Sequence, residues 1–235
     1  MKYLFIFLLA VISIQSFGQT VINDRNAEVR NVISFSGIKV SGGIDVYLSQ
    51  GADYALAVSA SEDKYRDEIK TEINNGVLTI SYNGGPLRYS TNRNLRAYIS
   101  FKTLESIEAS GACDLNINGL FKTNSLKVKL SGACEIKGAI EISNLQLNMS
   151  GASTVKLSGT VENLKIDASG ASDVKNYDLA VDNCMADLSG ASDIKITVNK
   201  SISAKASGAS SLYYKGNPER KEINTSGASN ISQRN

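Results

Sequence analysis

Residues 145–174 read LQLNMSGASTVKLSGTVENLKIDASGASDV, and this stretch decides the fold. It holds two copies of Ser-Gly-Ala-Ser, beginning at Ser150 and Ser169. Outward from it, Ser-Gly-Ala followed by Cys or Ser occurs seven times, with Gly111, Gly132, Gly151, Gly170, Gly190, Gly208 and Gly227 in second place. The spacings are 21, 19, 19, 20, 18 and 19 residues, a near-constant period. Five residues after the motif Ser stand Leu115, Ile136, Val155, Val174, Ile194, Leu212 and Ile231. Three before it stand Ile107, Val128, Leu147, Ile166, Ala186, Ala204 and Ile223. Two further back, Leu126, Leu145, Leu164, Cys184 and Ile202 continue the apolar series, while Glu105 and Lys221 break it at the two ends. Alternation with period two marks strands that bury one face.

Each repeat therefore reads as strand, Ser-Gly-Ala corner, strand, then a polar corner such as Asn118-Gly119 or Ser158-Gly159. So short a period excludes a crossover helix, and it excludes a propeller blade, which takes about 40 residues. What remains is a coil stacked on itself with parallel strands about 4.8 Å apart. The expectation is an all-β, right-handed parallel β-helix or solenoid of about seven short coils. Gly supplies the corner conformation that a side chain forbids. Ala is expected on the inside of the bend, and stacked Ser hydroxyls are expected to bond neighbouring backbone.

Four residues after the motif Ser runs an acidic column, Asp114, Glu135, Asp173 and Asp193, beside a lysine column, Lys137, Lys156, Lys175 and Lys195. Carboxylate rows can hold calcium, but lysines alongside make a solvated mixed-charge face the expected reading. Cys113 and Cys134 share one slot in adjacent coils where other repeats have Ser. Stacking puts them within disulfide range by Cα distance but at a poor Cβ angle, so a Cys113–Cys134 bond stays open. Cys184 reads as a core thiol.

The preceding residues are organised differently. Lys2 followed by the apolar run Leu4–Ile14 and by Ser16-Phe17-Gly18 reads as a signal peptide, residues 1–18. An exported protein is expected, whether periplasmic, surface-bound or secreted, and not one that spans the membrane. Residues 19–101 lack the Ser-Gly-Ala repeat and form a strand-rich module; the solenoid takes 102–235. Within the module, Ser41-Gly42-Gly43 is a corner, Asn74-Asn75-Gly76 a hairpin turn, and Ser61 a candidate helix cap. Six of the ten tyrosines fall here, and Tyr82, Arg88, Tyr89 and Arg93 around Gly84-Gly85-Pro86 form the candidate ligand-facing loop.

Composition removes several function classes. With no His among 235 residues, Ser–His–Asp triads, Cys–His pairs and His-ligated metals are impossible, and three Cys cannot make a four-Cys zinc site. A net charge of +2 without a basic block argues against nucleic acid. No cofactor and no catalytic residue is indicated.

The segment Val40-Ser41-Gly42-Gly43-Ile44-Asp45-Val46-Tyr47-Leu48-Ser49-Gln50-Gly51, taken with the Ser-Gly-Ala repeats, resembles the putative auto-transporter adhesin head GIN domain family of Bacteroidetes envelope proteins. The resemblance runs from about Val32 to the C-terminus. In the Gly-Ile-Asn signature this chain has Asp45 in third place. The resemblance implies a two-part β-helical fold, export and an adhesive role, and it supplies no catalytic residues. Nothing after the repeats could form a membrane barrel.

The expected function is a non-enzymatic exported binding protein for a glycan or protein surface. The alternatives are a periplasmic scaffold that self-associates through a solenoid end, as a homo-oligomer, and a carbohydrate-active enzyme. The last needs a deep cleft, which coils without inserted loops do not suggest.

Overall fold

The computed structural model describes residues 24–85 and 93–234. The chain opens with β1 (Glu28–Arg30), β2 (Gly37–Ser41), β3 (Asp45–Gln50) and β4 (Ala55–Ser59), then one short helix, α1 (Asp63–Arg66). Next come β5 (Ile69–Asn74), β6 (Val77–Tyr82), β7 (Arg96–Phe101) and β8 (Ser106–Gly111). Five long strands follow: β9 (Asp114–Gly132), β10 (Glu135–Met149), β11 (Thr154–Ala168), β12 (Asp173–Leu188) and β13 (Asp193–Ala206). Finally β14 (Ser211–Lys215), β15 (Arg220–Thr225) and β16 (Asn230–Gln233) complete the last coil.

The long strands each make nearly one coil and pair in parallel with the next. Leu126, Leu145 and Leu164 lie in register, as do Leu115, Ile136 and Val155. These columns point inward and are buried. The expected β-solenoid is therefore the fold, and one hydrophobic cluster runs through it from Phe35 to Tyr214.

The corners explain the motif. Gly111 to Gly227 in the seven copies all have φ between +68° and +90°. A Cβ on Gly151 would lie 2.7 Å from the carbonyl oxygen of Gly132, so the preceding coil also passes too close for a side chain. That same oxygen accepts a hydrogen bond from the Ala152 N–H at 2.8 Å, and the pattern repeats at every corner from Ala133 to Ala228. The Ala side chains are exposed on the outside of the bend rather than enclosed by it. The inward residue is the fourth one. Ser153, Ser172, Ser192 and Ser210 are buried, and each hydroxyl donates to the carbonyl three residues back, at 2.7–3.0 Å. The first Ser of the motif bonds to the previous coil instead, as Ser207 does to Leu188 O at 3.2 Å.

An eighth corner lies in the N-terminal segment. Ser41 is in register with Ser110, and β2 and β3 pair in parallel with β8 and the start of β9. Ser41-Gly42-Gly43 is thus a Ser-Gly-Ala corner with Gly in the third place, both glycines having positive φ, and Ile44 fills the inward slot. On its other side this rung pairs with β6 and β7, which come later in the chain. The order in space is therefore β6–β7, then β2–β3, then β8–β9.

Antiparallel strands finish that end: β5 on β6, β4 on β7, and β1 on β4. The β5–β6 turn uses Asn75 (φ 49°) and Gly76 (φ 75°). Helix α1 is capped by Glu62 without a side-chain bond. Ser61, expected as the cap, instead gives its backbone N–H to Arg93 O at 2.8 Å.

The opposite end mixes polar and apolar groups: Ile223 and Ile231 continue two inward columns, with Ile223 40% exposed, and polar residues take the others. In the last coil, Lys221 follows Ile202, Thr225 follows Ala206 and Gln233 follows Tyr214 in the inward columns. Lys221 Nζ donates to Gln233 Oε1 at 3.2 Å across the mouth of the coil, while Gln233 Nε2 donates to Gly216 O at 2.8 Å. Every residue of β15 is exposed. Charge on a terminal strand blocks edge-to-edge pairing. The double substitution Lys221→Leu/Gln233→Leu is expected to make sedimentation concentration-dependent, with the wild type unaffected by concentration; identical profiles would show that this closure does not govern association.

Candidate functional site

Four regions could bind or react. The first is the predicted loop. The Arg93 guanidinium sits 5.1 Å from the Tyr82 ring and 5.3 Å from the Tyr65 ring, and its Nη1 donates to Gly85 O at 3.1 Å. Stacked between two rings and tied to the loop backbone, Arg93 and Tyr82 hold the loop's base together. Arg88 and Tyr89 lie outside the described residues.

The second is a polar cluster at the side of the cap. Tyr47 and Tyr98 stack at 5.1 Å, and Tyr98 donates to Asp24 Oδ2 at 2.8 Å, with Arg96 Nη1 at 3.5 Å from the same oxygen. Burial pushes the Asp24 pKa up, but the bonds from Tyr98, Ser59 and the Asn26 backbone, with Arg96, outweigh it and hold it below the ordinary value. Asp45 shifts the other way, raised by burial and by Asp114 on the next rung despite Arg96 and Lys137. Its ionised form is therefore a cost to folding that appears as pH rises through the ordinary carboxylate value towards the raised one. Asp45→Asn is expected to raise Tm slightly at neutral pH, and this gain should vanish below the ordinary carboxylate range. An equal effect at both pH values would assign the change to the amide rather than to the charge.

The third is the charged face and the thiols beside it. Lys156 Nζ lies 2.7 Å from Glu135, Lys175 lies 2.9 Å from Asp173, and Lys195 lies 2.9 Å from Asp193. The lysine column thus neutralises the acidic one, and no cluster of three or more potential metal-ligating side chains occurs among the described residues. All three cysteines are free and buried. Cys113 Sγ donates to Ser110 O and Cys134 Sγ to Ser131 O, both at 3.3 Å, so each sulfur sits where the other corners place a hydroxyl. A hydrogen bond between the thiols lowers the Cys113 pKa and raises that of Cys134, whose ionisation burial also opposes. Burial pushes Cys184 up to about 12.

The fourth region was missed in the sequence. Six residues before the motif Ser, at a corner, stand Asn144, Asn163 and Asn183, in register on successive coils. Asn163 Nδ2 donates to Asn144 Oδ1 and Asn183 Nδ2 to Asn163 Oδ1, both at 3.1 Å, and Ser201 Oγ donates to Asn183 Oδ1 at 2.8 Å. This amide ladder borders a groove of about 680 Å³ running along the solenoid axis. Its other wall is the column containing Lys127, Gln146, Lys165 and Met185. Between them lies the backbone of Leu126, Leu145 and Leu164, whose side chains turn inward. A second groove of about 550 Å³ lies across the corner, lined by Lys122, Glu141, Glu162 and Asp182 among others. Counting six back from each motif Ser finds the ladder, but its residues are polar and read singly as loop.

The family described as "Putative auto-transporter adhesin, head GIN domain" matches residues 34–218. The chain belongs to this family. Among solved structures, a putative adhesin from Bacteroides fragilis is similar with a TM-score of 0.80 at 23% identity, over 88% of this chain and 96% of that one. A putative adhesin from Parabacteroides merdae has a TM-score of 0.64 at 18% identity, over 89% and 95% of the two chains. A protein described as a putative lipid binding protein from Parabacteroides distasonis has a TM-score of 0.64 at 20% identity, over 89% and 98%. These likenesses carry the fold. No curated protein matches the chain. Among the described residues, no helix of this GIN-domain protein is long and apolar enough to cross a membrane.

Proposed function

We propose that the protein is a non-enzymatic, exported adhesin of the cell envelope that binds a glycan or protein surface through the lateral groove beside its amide ladder. Membership of an adhesin family supports the class, and the Leu4–Ile14 run with Ser16-Phe17-Gly18 supports export. One observation carries the choice of surface: the amide ladder stacks Asn144, Asn163 and Asn183 in register on three successive rungs along one wall of a groove. A repeating surface suits a repeating partner. The ends suit partners less, one being covered by antiparallel strands and the other closed by the Lys221–Gln233 bond.

The test is adhesion of fluorescently labelled mature protein, residues 19–235, to envelope polysaccharide, host glycans and protein-coated surfaces. Saturable binding that Asn163→Leu weakens, without change in melting temperature, is expected. Turnover of any of these glycans, or no binding to any surface, would overturn the reading.

A further inference from the structure

The two grooves flank the same corner with the same rung spacing, yet they differ in charge. The ladder groove is lined by Lys127, Lys165, Arg220 and Lys221 against one carboxylate, Glu222. The groove across the corner has Lys122 against Glu141, Glu162 and Asp182. The cations of the ladder groove are also less spent. Lys127 and Arg220 have no carboxylate partner among the described residues, whereas Lys122 is paired with Glu141 and Asp182 with Lys200. Lys165 is bridged to Asp167 at 3.2 Å, and Lys221 is turned towards Gln233. The neutral wall also has capacity left. Asn144 gives one amide N–H to Asn124 O and Asn163 gives one to Asn144, so each keeps a second N–H for a ligand.

The geometry of repetition narrows the ligand further. The groove spans six rungs, from Ser125 to Arg220, or about 24 Å at about 4.8 Å per rung. An extended chain of β-linked pyranoses advances by about one rung per sugar, so three successive residues would meet the equivalent amides of Asn144, Asn163 and Asn183. Lys127 and Lys165 stand in one column, two rungs apart with Gln146 between them. They therefore match an acid on every second sugar.

We propose that the ladder groove binds an acidic linear polysaccharide laid along the solenoid axis, its uronate carboxylates facing Lys127 and Lys165 and its hydroxyls bonding the Asn144–Asn163 amides. This deepens the adhesin reading and rests on it. The other groove, with three carboxylates, repels the same chain.

The experiment is affinity electrophoresis and biolayer interferometry of residues 19–235 against hyaluronan, which carries an acid on alternate sugars, and against dextran, which carries none. Hyaluronan is expected to retard the protein, with retardation weakening as salt rises, and dextran is not. Lys127→Glu/Lys165→Glu is expected to weaken hyaluronan binding about tenfold or more, while Lys122→Glu, a charge reversal in the other groove, leaves it unchanged. Circular dichroism melting checks the fold of each variant, and unchanged melting is expected because Lys127 and Lys165 are exposed. If the protein adheres to envelope material or to dextran but not to hyaluronan, the acidic-ligand proposal falls and the adhesin reading survives. If hyaluronan binds the double variant as well as wild type, the assignment to this groove falls. If nothing binds on any surface, both readings fall together.

Discussion

Gly170→Ala is expected to prevent folding or to destabilise the protein severely, while Gly119→Ala costs only the backbone strain, about 1–2 kcal/mol. Both glycines have positive φ, +73° and +76°, so both substitutions incur the left-handed penalty of about 1–2 kcal/mol. Only Gly170 also faces a neighbouring coil. A Cβ there would stand 2.5 Å from Gly151 O and 3.0 Å from Gly151 N, whereas nothing lies within 4 Å of a Cβ on Gly119. Relief requires moving Gly151 O, which accepts the Ala171 N–H at 2.7 Å, so the clash is exchanged for a lost corner bond. Overpacking of about 1–3 kcal/mol and a bond worth about 1 kcal/mol then add to the backbone strain. A total of about 3–6 kcal/mol is a large share of the roughly 5–15 kcal/mol that holds a protein folded. Urea unfolding of the two variants measures the difference. Equal midpoints would mean that backbone conformation alone, and not the approach of the preceding coil, selects glycine at the corners.

That contrast also shows why the corners were legible in the sequence. The corner glycine recurs in all seven copies, required by its positive φ and, from Gly132 onward, by the approach of the preceding coil as well, and the inward columns that follow it alternate, so period and pleat together define the coil. Other features are invisible to such counting. The outward Ala could not be told from an inward one because the corner sends its fourth residue inside, which depends on the hydrogen bond from Ser153 to Ser150 O and its equivalents. The first rung was hidden because Ser41-Gly42-Gly43 lacks the Ala and is separated from Ser110 by the whole cap. The candidate site was only partly legible. Arg93 stands out by type, but its rings and carbonyls come from Tyr65, Tyr82 and Gly85 and are brought together only by folding. The amide ladder is the reverse case: its residues are unremarkable alone, and meaning comes from register, with Asn144, Asn163 and Asn183 stacked as donors and acceptors.

A chain of residues 102–235, the solenoid without its N-terminal module, is expected to aggregate, whereas deletion of residues 151–169 leaves a soluble, folded protein. In a solenoid each repeat contacts mainly its neighbours, so removing one internal unit costs roughly one rung. The deletion joins Ser150 to Gly170, which keeps the corner, and sets Ile136 against Val174, which keeps the inward column apolar. The N-terminal cut is different in kind because the rung it removes lies inside the stack. Without β2 and β3, the backbones of β8 and the start of β9 lose their partners from Ser106 to Ser110 and from Leu115 to Asn118. Ile107, Cys113 and Leu115, now almost wholly buried, become the end of the core. Nothing at that new end resembles the Lys221–Gln233 closure of the other, so an apolar, unpaired edge is presented to other chains. Phe121 also loses Phe101, whose ring meets it at 5.1 Å. Size-exclusion chromatography and circular dichroism of both deletions decide the matter. A monomeric, folded 102–235 chain would show that the N-terminal segment is an independent module resting on the solenoid, whereas its aggregation beside a folded internal deletion would show that β2–β3 is the rung on which the other coils are built.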